Sequence, residues 1–265
     1  MDIAVQRLYN QHITGPKLAS PEAVVRWLGA VQSQDYAGAK WSLGQRMDGV
    51  TDAAIDEAFA KGAILRTHVL RPTWHFVTAD DILWILELTA PRVHALNAYY
   101  YRQLELDTNV LDRSHTIIEQ SLRGGIQLTR PELGAALAKA GIVAETLRLT
   151  YIVMHAELDG VICSGALRGK QQTYALVADR VPNAKRMPRD EALAELTHRY
   201  FTGHGPITLK DYVWWSGLSA SDARSGLEMN KHRLSSETVE GQTYWFGASM
   251  PPAKPMPMMA HLIPE

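Results

Sequence analysis

Two stretches carry side chains whose types and spacing could do chemistry. In Val31-Gln32-Ser33-Gln34-Asp35, two amides and a carboxylate follow the apolar run Val24 to Val31. An amide buried without partners costs on the order of 1–3 kcal/mol, so Gln32 and Gln34 must meet protein, water or a ligand. They could close the preceding helix by bonding its last carbonyls, or they could hold a water for attack. Residues two apart lie on opposite sides of a helix, so the two amides converge on one ligand only if the chain leaves helical geometry between them. Asp35, three residues beyond Gln32, would share its face if the helix continued.

The second stretch holds Arg66, His68, Arg71 and His75 around Leu70-Arg71-Pro72. In a strand Arg66 and His68 share one face, as do Thr73 and His75. Such a group could grip a phosphate or a nucleic-acid strand, or it could be hydrogen-bonded interior, with Arg66 paired to Asp80 or Asp81. Arg148, and Arg168 with Lys170 at a Gly169 turn, are further cationic candidates. Trp84, Trp214-Trp215 and Tyr99-Tyr100-Tyr101 could stack on bases, or fill a core.

Other chemistries lack their signatures. The ten histidines include no HExxH, no CxxC accompanies the single Cys163, and neither GxSxG nor GxxxxGK[ST] occurs. No cofactor and no metal are therefore expected. Cys163 reads as a small apolar residue.

The elements that must position these residues follow from caps and periodicity. Ser20-Pro21 starts a helix through Ala23, Val24, Trp27, Leu28 and Val31, with Gln32 at its end. Tyr36 to Met47 and Thr51 to Phe59 are helical, and Ile64 to Val69 with Thr73 to Val77 form a hairpin. Asp80-Asp81 opens Ile82 to Ala90, Pro91 begins a further helix, and Asp112 to Ser114 caps His115 to Leu122. The cap, proline and acid of Thr129-Arg130-Pro131-Glu132 lead the next helix. Val143 to Leu158 follows, then strands Val161 to Leu167 and Gln172 to Val177. Asp190 to Phe201, Thr208 to Trp215 and Ser219 to Met229 precede a last hairpin turned at Glu240-Gly241.

Helices followed by a hairpin thus recur three times, each over roughly 70 residues. That order is the winged variant of the helix-turn-helix, in which one helix enters a groove and the hairpin touches the backbone. A generic α+β protein whose hairpins cap helix bundles has the same order. The expected fold is mainly α with small β-hairpins, divided as winged helix 1 (1–78), connecting helices (79–112), winged helix 2 (113–178) and winged helix 3 (179–248). Residues 249–265 are expected to be a proline-rich linker and the start of a C-terminal module that is lost or truncated.

Composition narrows the classes. At 46% hydrophobic and 21% charged the chain is globular, and its net charge of -1 advertises no global basic field. DNA binding would have to come from local clusters. No apolar run reaches the roughly 18 residues of a membrane span and no signal peptide opens the chain, so a cytoplasmic protein is expected.

Val24-Val25-Arg26-Trp27-Leu28-Gly29-Ala30-Val31-Gln32-Ser33-Gln34-Asp35, then Leu65 to Val77 and Ala79-Asp80-Asp81-Ile82, resembles the AlkZ/YcaQ family of winged-helix DNA glycosylases. Asp211-Tyr212-Val213-Trp214-Trp215-Ser216-Gly217-Leu218 resembles that family's third unit, and the likeness spans nearly the whole chain in order. It implies tandem winged helices forming a concave surface for duplex DNA, a C-terminal β-barrel, and excision of N7-alkylated purines or unhooking of interstrand crosslinks. It implies a Gln-x-Gln motif that places a water, here Gln32 and Gln34. Ser33 stands where family members more often have an apolar residue, and no barrel follows Pro264-Glu265.

The chemistry is physically coherent. Alkylation at N7 makes the purine cationic, so it departs as a neutral base and little acid help is needed. Stabilising an oxocarbenium-like sugar and orienting a water remain, tasks within reach of amides, with Asp35 as a helper. The expectation is a monofunctional DNA glycosylase, acting as a monomer on duplex DNA. A non-catalytic winged-helix regulator and a protein-interaction module are the alternatives.

Overall fold

A computed structural model describes residues 1–253, so the linker expected from 249 lies largely outside the described residues. Local signals explain most element boundaries. Helix α1 (Ile3–Asn10) starts at Asp2, which accepts the Val5 N–H, and α2 (Pro21–Leu28) at Ser20, which accepts the Ala23 N–H. A two-residue strand, β1 (Val31–Gln32), precedes α3 (Tyr36–Gly44) and α4 (Asp52–Lys61). The hairpin β2 (Ile64–Val69) and β3 (Thr73–Thr78) leads to α5 (Ile82–Gln103) and α6 (Thr108–Leu122). After β4 (Leu128–Thr129), a reciprocal Thr129–Glu132 capping box opens α7 (Arg130–Lys139), followed by α8 (Thr146–Leu158).

Strands β5 (Ile162–Ser164) and β6 (Thr173–Leu176) then lead into the single turn α9 (Val177–Arg180). The chain ends in α10 (Arg189–His204), α11 (Leu209–Ser216), α12 (Ala220–Asn230), β7 (Leu234–Val239) and β8 (Gln242–Gly247). Thr208 and Ser219 cap α11 and α12 at the expected positions. Glu240 and Gly241 turn the last hairpin with φ of 50° and 79°, the left-handed pair a tight two-residue turn needs.

Three expectations fail locally. Pro91 starts no helix but lies inside the continuous α5. The carbonyl it leaves without a helical partner belongs to Glu87, and both residues are exposed, so that carbonyl lies on the solvent side of the helix. Helix α6 starts at Thr108, four residues before Asp112, because Asp107 accepts the Val110 N–H at 2.8 Å. Helix α2 ends at Leu28, short of the glutamines, because Gly29 takes φ 79°.

The chain separates into two compact units, Met1–Ile55 with the chain from Met187 on, and Asp56–Arg186. In the first, α10 packs on α1, α2, α12 and the β7–β8 hairpin. Its interior is aromatic: Tyr200 lies 5.0 Å from Tyr212 and 4.7 Å from Trp215 between ring centres, while Trp214 stays exposed. In the second, β4, β6 and β5 form an antiparallel sheet in that order, and α8 packs on α5 and β2. Its core gathers Ile118, Leu122, Leu133, Leu137, Ile152 and Ile162. Trp84 is fully buried, whereas Tyr99 and Tyr100 are exposed. Burial pushes the Cys163 thiol up to about 12, in keeping with an inert apolar cysteine. Among the described residues no helix is long and apolar enough to cross a membrane.

Candidate functional site

The glutamines owe their position to how the end of α2 is anchored. An added Cβ on Gly203 would lie 2.6 Å from the Trp27 carbonyl, so only glycine lets α10 come this close. One residue on, the half-buried His204 lies with Nε2 3.0 Å from the Leu28 carbonyl. Burial lowers its pKa to about 4, so it is neutral and can donate Nε2–H to that last carbonyl of α2. Trp27 Nε1 donates to the Asn10 carbonyl at 2.7 Å, and the Asn10 amide donates to the Gly205 carbonyl at 2.7 Å.

Beyond Gly29 the chain is extended. Val31 and Ser33 are buried while Gln32 and Gln34 are exposed, the alternation of a strand, so the two glutamines point to one side. This resolves the helical opposition that would have kept them apart. Both line one cavity of about 440 Å³, with Val31, Asp35, Gly38, Ala39 and Ser42. Asp35 also has a structural duty as N-cap of α3, where its Oδ1 accepts the Ala37 N–H at 3.1 Å.

The opposite face of α3 borders a second cavity of about 420 Å³, lined by Ala37, Lys40, Trp41 and Gly44 at helical spacing and by Thr51 and Asp52. Lys40, nearly buried, pairs with Asp52 at 2.8 Å and lies 5.3 Å from the Tyr36 ring centre. Trp41 is 58% exposed beside it. Periodicity alone did not single out Trp41; a tryptophan on the polar side of a short helix was its only signal.

The hairpin residues behave differently. Register pairs Arg66 with Phe76, Thr67 with His75 and His68 with Trp74, so Arg66 and His68 share a face that His75 does not. Arg66 is buried, its guanidinium carbon 4.3 Å from the Trp74 ring centre. It borders a cavity of about 360 Å³ with Trp74, Arg130, Gln172 and Tyr174. His68 Nδ1 lies 2.5 Å from Oε2 of the fully buried Glu157, whose Oε1 accepts Trp74 Nε1–H at 3.3 Å. Glu157 was not visible as a partner in the sequence, because it comes from α8. On the other face, burial lowers the His75 pKa to about 3, and its Nδ1 meets the Thr73 carbonyl at 3.0 Å. Arg71 sits half-buried in the turn.

The remaining cations differ in availability. Arg148 donates to the Leu104 carbonyl at 2.6 Å, and Arg168 pairs with Glu132 at 2.7 Å and bonds the Gln127 carbonyl at 2.6 Å. Lys170, exposed at the same hairpin tip, forms no ion pair with another described residue.

Fold and site together define a mixed α/β protein of helices and small antiparallel sheets, with an open cavity presenting paired amides. The chain belongs to the DNA glycosylase AlkZ-like family, whose sequence profile matches residues 25–265. Among solved structures it is similar to the Streptomyces sahachiroi DNA glycosylase AlkZ, with a TM-score of 0.78 at 21% identity. The match covers 92% of this chain and 68% of that one, and at this identity the likeness is one of fold. No curated protein matches the sequence.

Proposed function

We propose that the chain is a monofunctional DNA glycosylase that hydrolyses the N-glycosidic bond of N7-alkylated purines, or unhooks interstrand crosslinks, in duplex DNA. The observation that carries this reading is that Gln32, in the short strand β1, and Gln34, in the bend after it, line one cavity. Their amide oxygens accept hydrogen bonds from a water and aim its lone pair at C1′. The cationic base leaves with the bonding electrons and becomes neutral, the water oxygen bonds C1′, and its proton passes to solvent. Asp35 adds a negative charge near the sugar cation. The described residues lining this cavity include no lysine, which supports a monofunctional enzyme over one with a covalent lyase step through an amine.

In this reading the helix-and-hairpin groups at 1–78, 113–178 and 179–248 are winged helices, with 79–112 connecting them. The protein works as a monomer in the cytoplasm; of the candidate DNA contacts, Arg66, His68 and His75 are buried, Arg71 is half-buried, and Arg148 and Arg168 bond backbone carbonyls, which leaves Lys170 as the contact this reading relies on. Lys170 is best placed to meet a phosphate, being exposed and unengaged by any described carboxylate.

Excision assayed side by side on an N7-methylguanine duplex and a crosslinked duplex tests the activity and its substrate together. Release of base faster than without protein is expected on at least one. Release on neither, with DNA binding retained, would leave a non-catalytic winged-helix binder.

A further inference from the structure

Three helices of the second unit bring three imidazoles around one carboxylate. His94 comes from α5, His115 from α6 and His155 from α8, and Asp159 follows α8 as its C-cap. His94 Nε2 lies 2.9 Å from Asp159 Oδ1, and His155 Nδ1 lies 3.2 Å from Oδ2. His115 Nε2 is 3.1 Å from His155 Nδ1. Behind them α5 and α8 pack through Ala90, Val93, Met154 and Leu158, a firm apolar floor.

We propose that His94, His155 and Asp159, with His115 beside them, bind one divalent transition-metal ion of the zinc class. One donor atom from each of His94, His155 and Asp159 lies within 4.8 Å of the other two. Around a tetrahedral zinc with bonds near 2.0–2.1 Å, donor atoms stand about 3.4 Å apart, close to the 2.9 and 3.2 Å that separate His94 and His155 from the Asp159 carboxylate. Imidazole nitrogen and carboxylate oxygen are ligands zinc accepts, and His155 and Asp159 at i, i+4 share one helical face.

Proton counting points the same way. His155 Nδ1 carries one proton at most, yet it faces both the Asp159 carboxylate and His115 Nε2. A cation among these lone pairs satisfies all of them together. His94 Nδ1 lies 2.9 Å from the Tyr101 hydroxyl, so donation there leaves Nε2 free for the metal and fixes the ring. The side chains of His94, His155 and Asp159 are 24%, 17% and 38% exposed, so an ion reaches them from solvent. The inference departs from the metal-free expectation because the ligands are scattered over residues 94 to 159, where no contiguous motif advertises them. It shares no residue with the glutamine cavity and does not depend on glycosylase activity.

Tag-free, chelator-treated full-length protein should take up one zinc ion per chain by calorimetry and metal analysis. Zinc should raise the thermal midpoint, and magnesium should not. Cobalt(II) should give the visible bands of tetrahedral coordination. His94→Gln with His155→Gln should abolish uptake, Asp159→Asn alone should weaken it at least tenfold, and His232→Gln at an unrelated exposed site should leave it unchanged. Absence of zinc uptake by the wild-type chain would overturn the proposal. So would unchanged uptake in Asp159→Asn, which keeps the shape of the site should the double variant fold poorly.

Discussion

The connection between α2 and α3 and the β2–β3 hairpin present the same kinds of polar residue in apolar surroundings, yet they dispose of them in opposite ways. In the connection Gln32 and Gln34 are exposed and line a cavity. In the hairpin Arg66 lies on Trp74 and His68 on Glu157, so the protein itself supplies their partners. A polar side chain can be enclosed by its neighbours or stand at the surface of a cavity, and spacing in the sequence does not say which. Exposure does.

The sharpest contrast between the regions comes from His68→Ala. It strands the Glu157 carboxylate, 1% exposed, with Trp74 as its one remaining donor in the structure. Breaking a buried pair of this kind costs about 3–5 kcal/mol. Denaturant unfolding should show that loss, and replacing both members by apolar residues, His68→Phe with Glu157→Leu, should recover most of it. If His68→Ala leaves stability intact, the hairpin pair is no structural device.

Gln34→Ala should do the reverse. Losing one hydrogen-bonding group aimed at the transition state lowers turnover by on the order of 100-fold, near 2.7 kcal/mol. An exposed glutamine with no core role should change stability by less than about 0.5 kcal/mol. Single-turnover excision beside thermal melting separates these outcomes. A variant that excises at the wild-type rate would remove the glutamine from the chemistry while leaving the activity standing.

Each region also hides a neutral histidine, His204 behind the glutamines and His75 on the hairpin. Burial lowers their pKa values to about 4 and about 3, against about 6.5 when unfolded. Below about pH 6.5 the unfolded chain therefore binds protons that the folded chain refuses, so stability falls as pH falls. Each group contributes a slope of up to about 1.4 kcal/mol per pH unit until its folded pKa is reached. Urea titrations between pH 7 and pH 4.5 should show the decline, and His75→Gln should flatten its part. A flat wild-type profile would mean that neither histidine is held neutral.

What was legible in the sequence was local. Ser20, Thr129 with Glu132, Thr208 and Ser219 announce their helices because a cap acts within four residues of itself. The Gln-x-Gln segment could be singled out, and the demand that it leave helical geometry could be stated, since i and i+2 oppose each other on any helix. That Gly29 would turn the chain there depended on Gly203 and His204, some 170 residues away, and no local pattern encodes that contact. Pro91 misled for a related reason. A proline is tolerated inside a helix more readily where the carbonyl it orphans faces solvent, and exposure at Glu87 is a tertiary fact. The His94, His115, His155 and Asp159 cluster was invisible because its members come from three helices.

The smallest expected effect extends the comparison to the cations. Arg148 and Arg168 already serve backbone carbonyls, and Arg168 also pairs with Glu132, whereas Lys170 is exposed with no described carboxylate paired to it. If availability decides function, Lys170→Ala should weaken duplex binding a few-fold whatever the sequence, and reduce the slope of log affinity against log salt by about one. Arg148→Ala should leave that slope unchanged and show instead as lost stability of about 1 kcal/mol, the worth of a bond to a carbonyl. Fluorescence anisotropy across a salt series reads both. Equal slopes for the two variants would mean that internal pairing does not withhold a cation from DNA, and the distinction between the two regions would then hold for the amides alone.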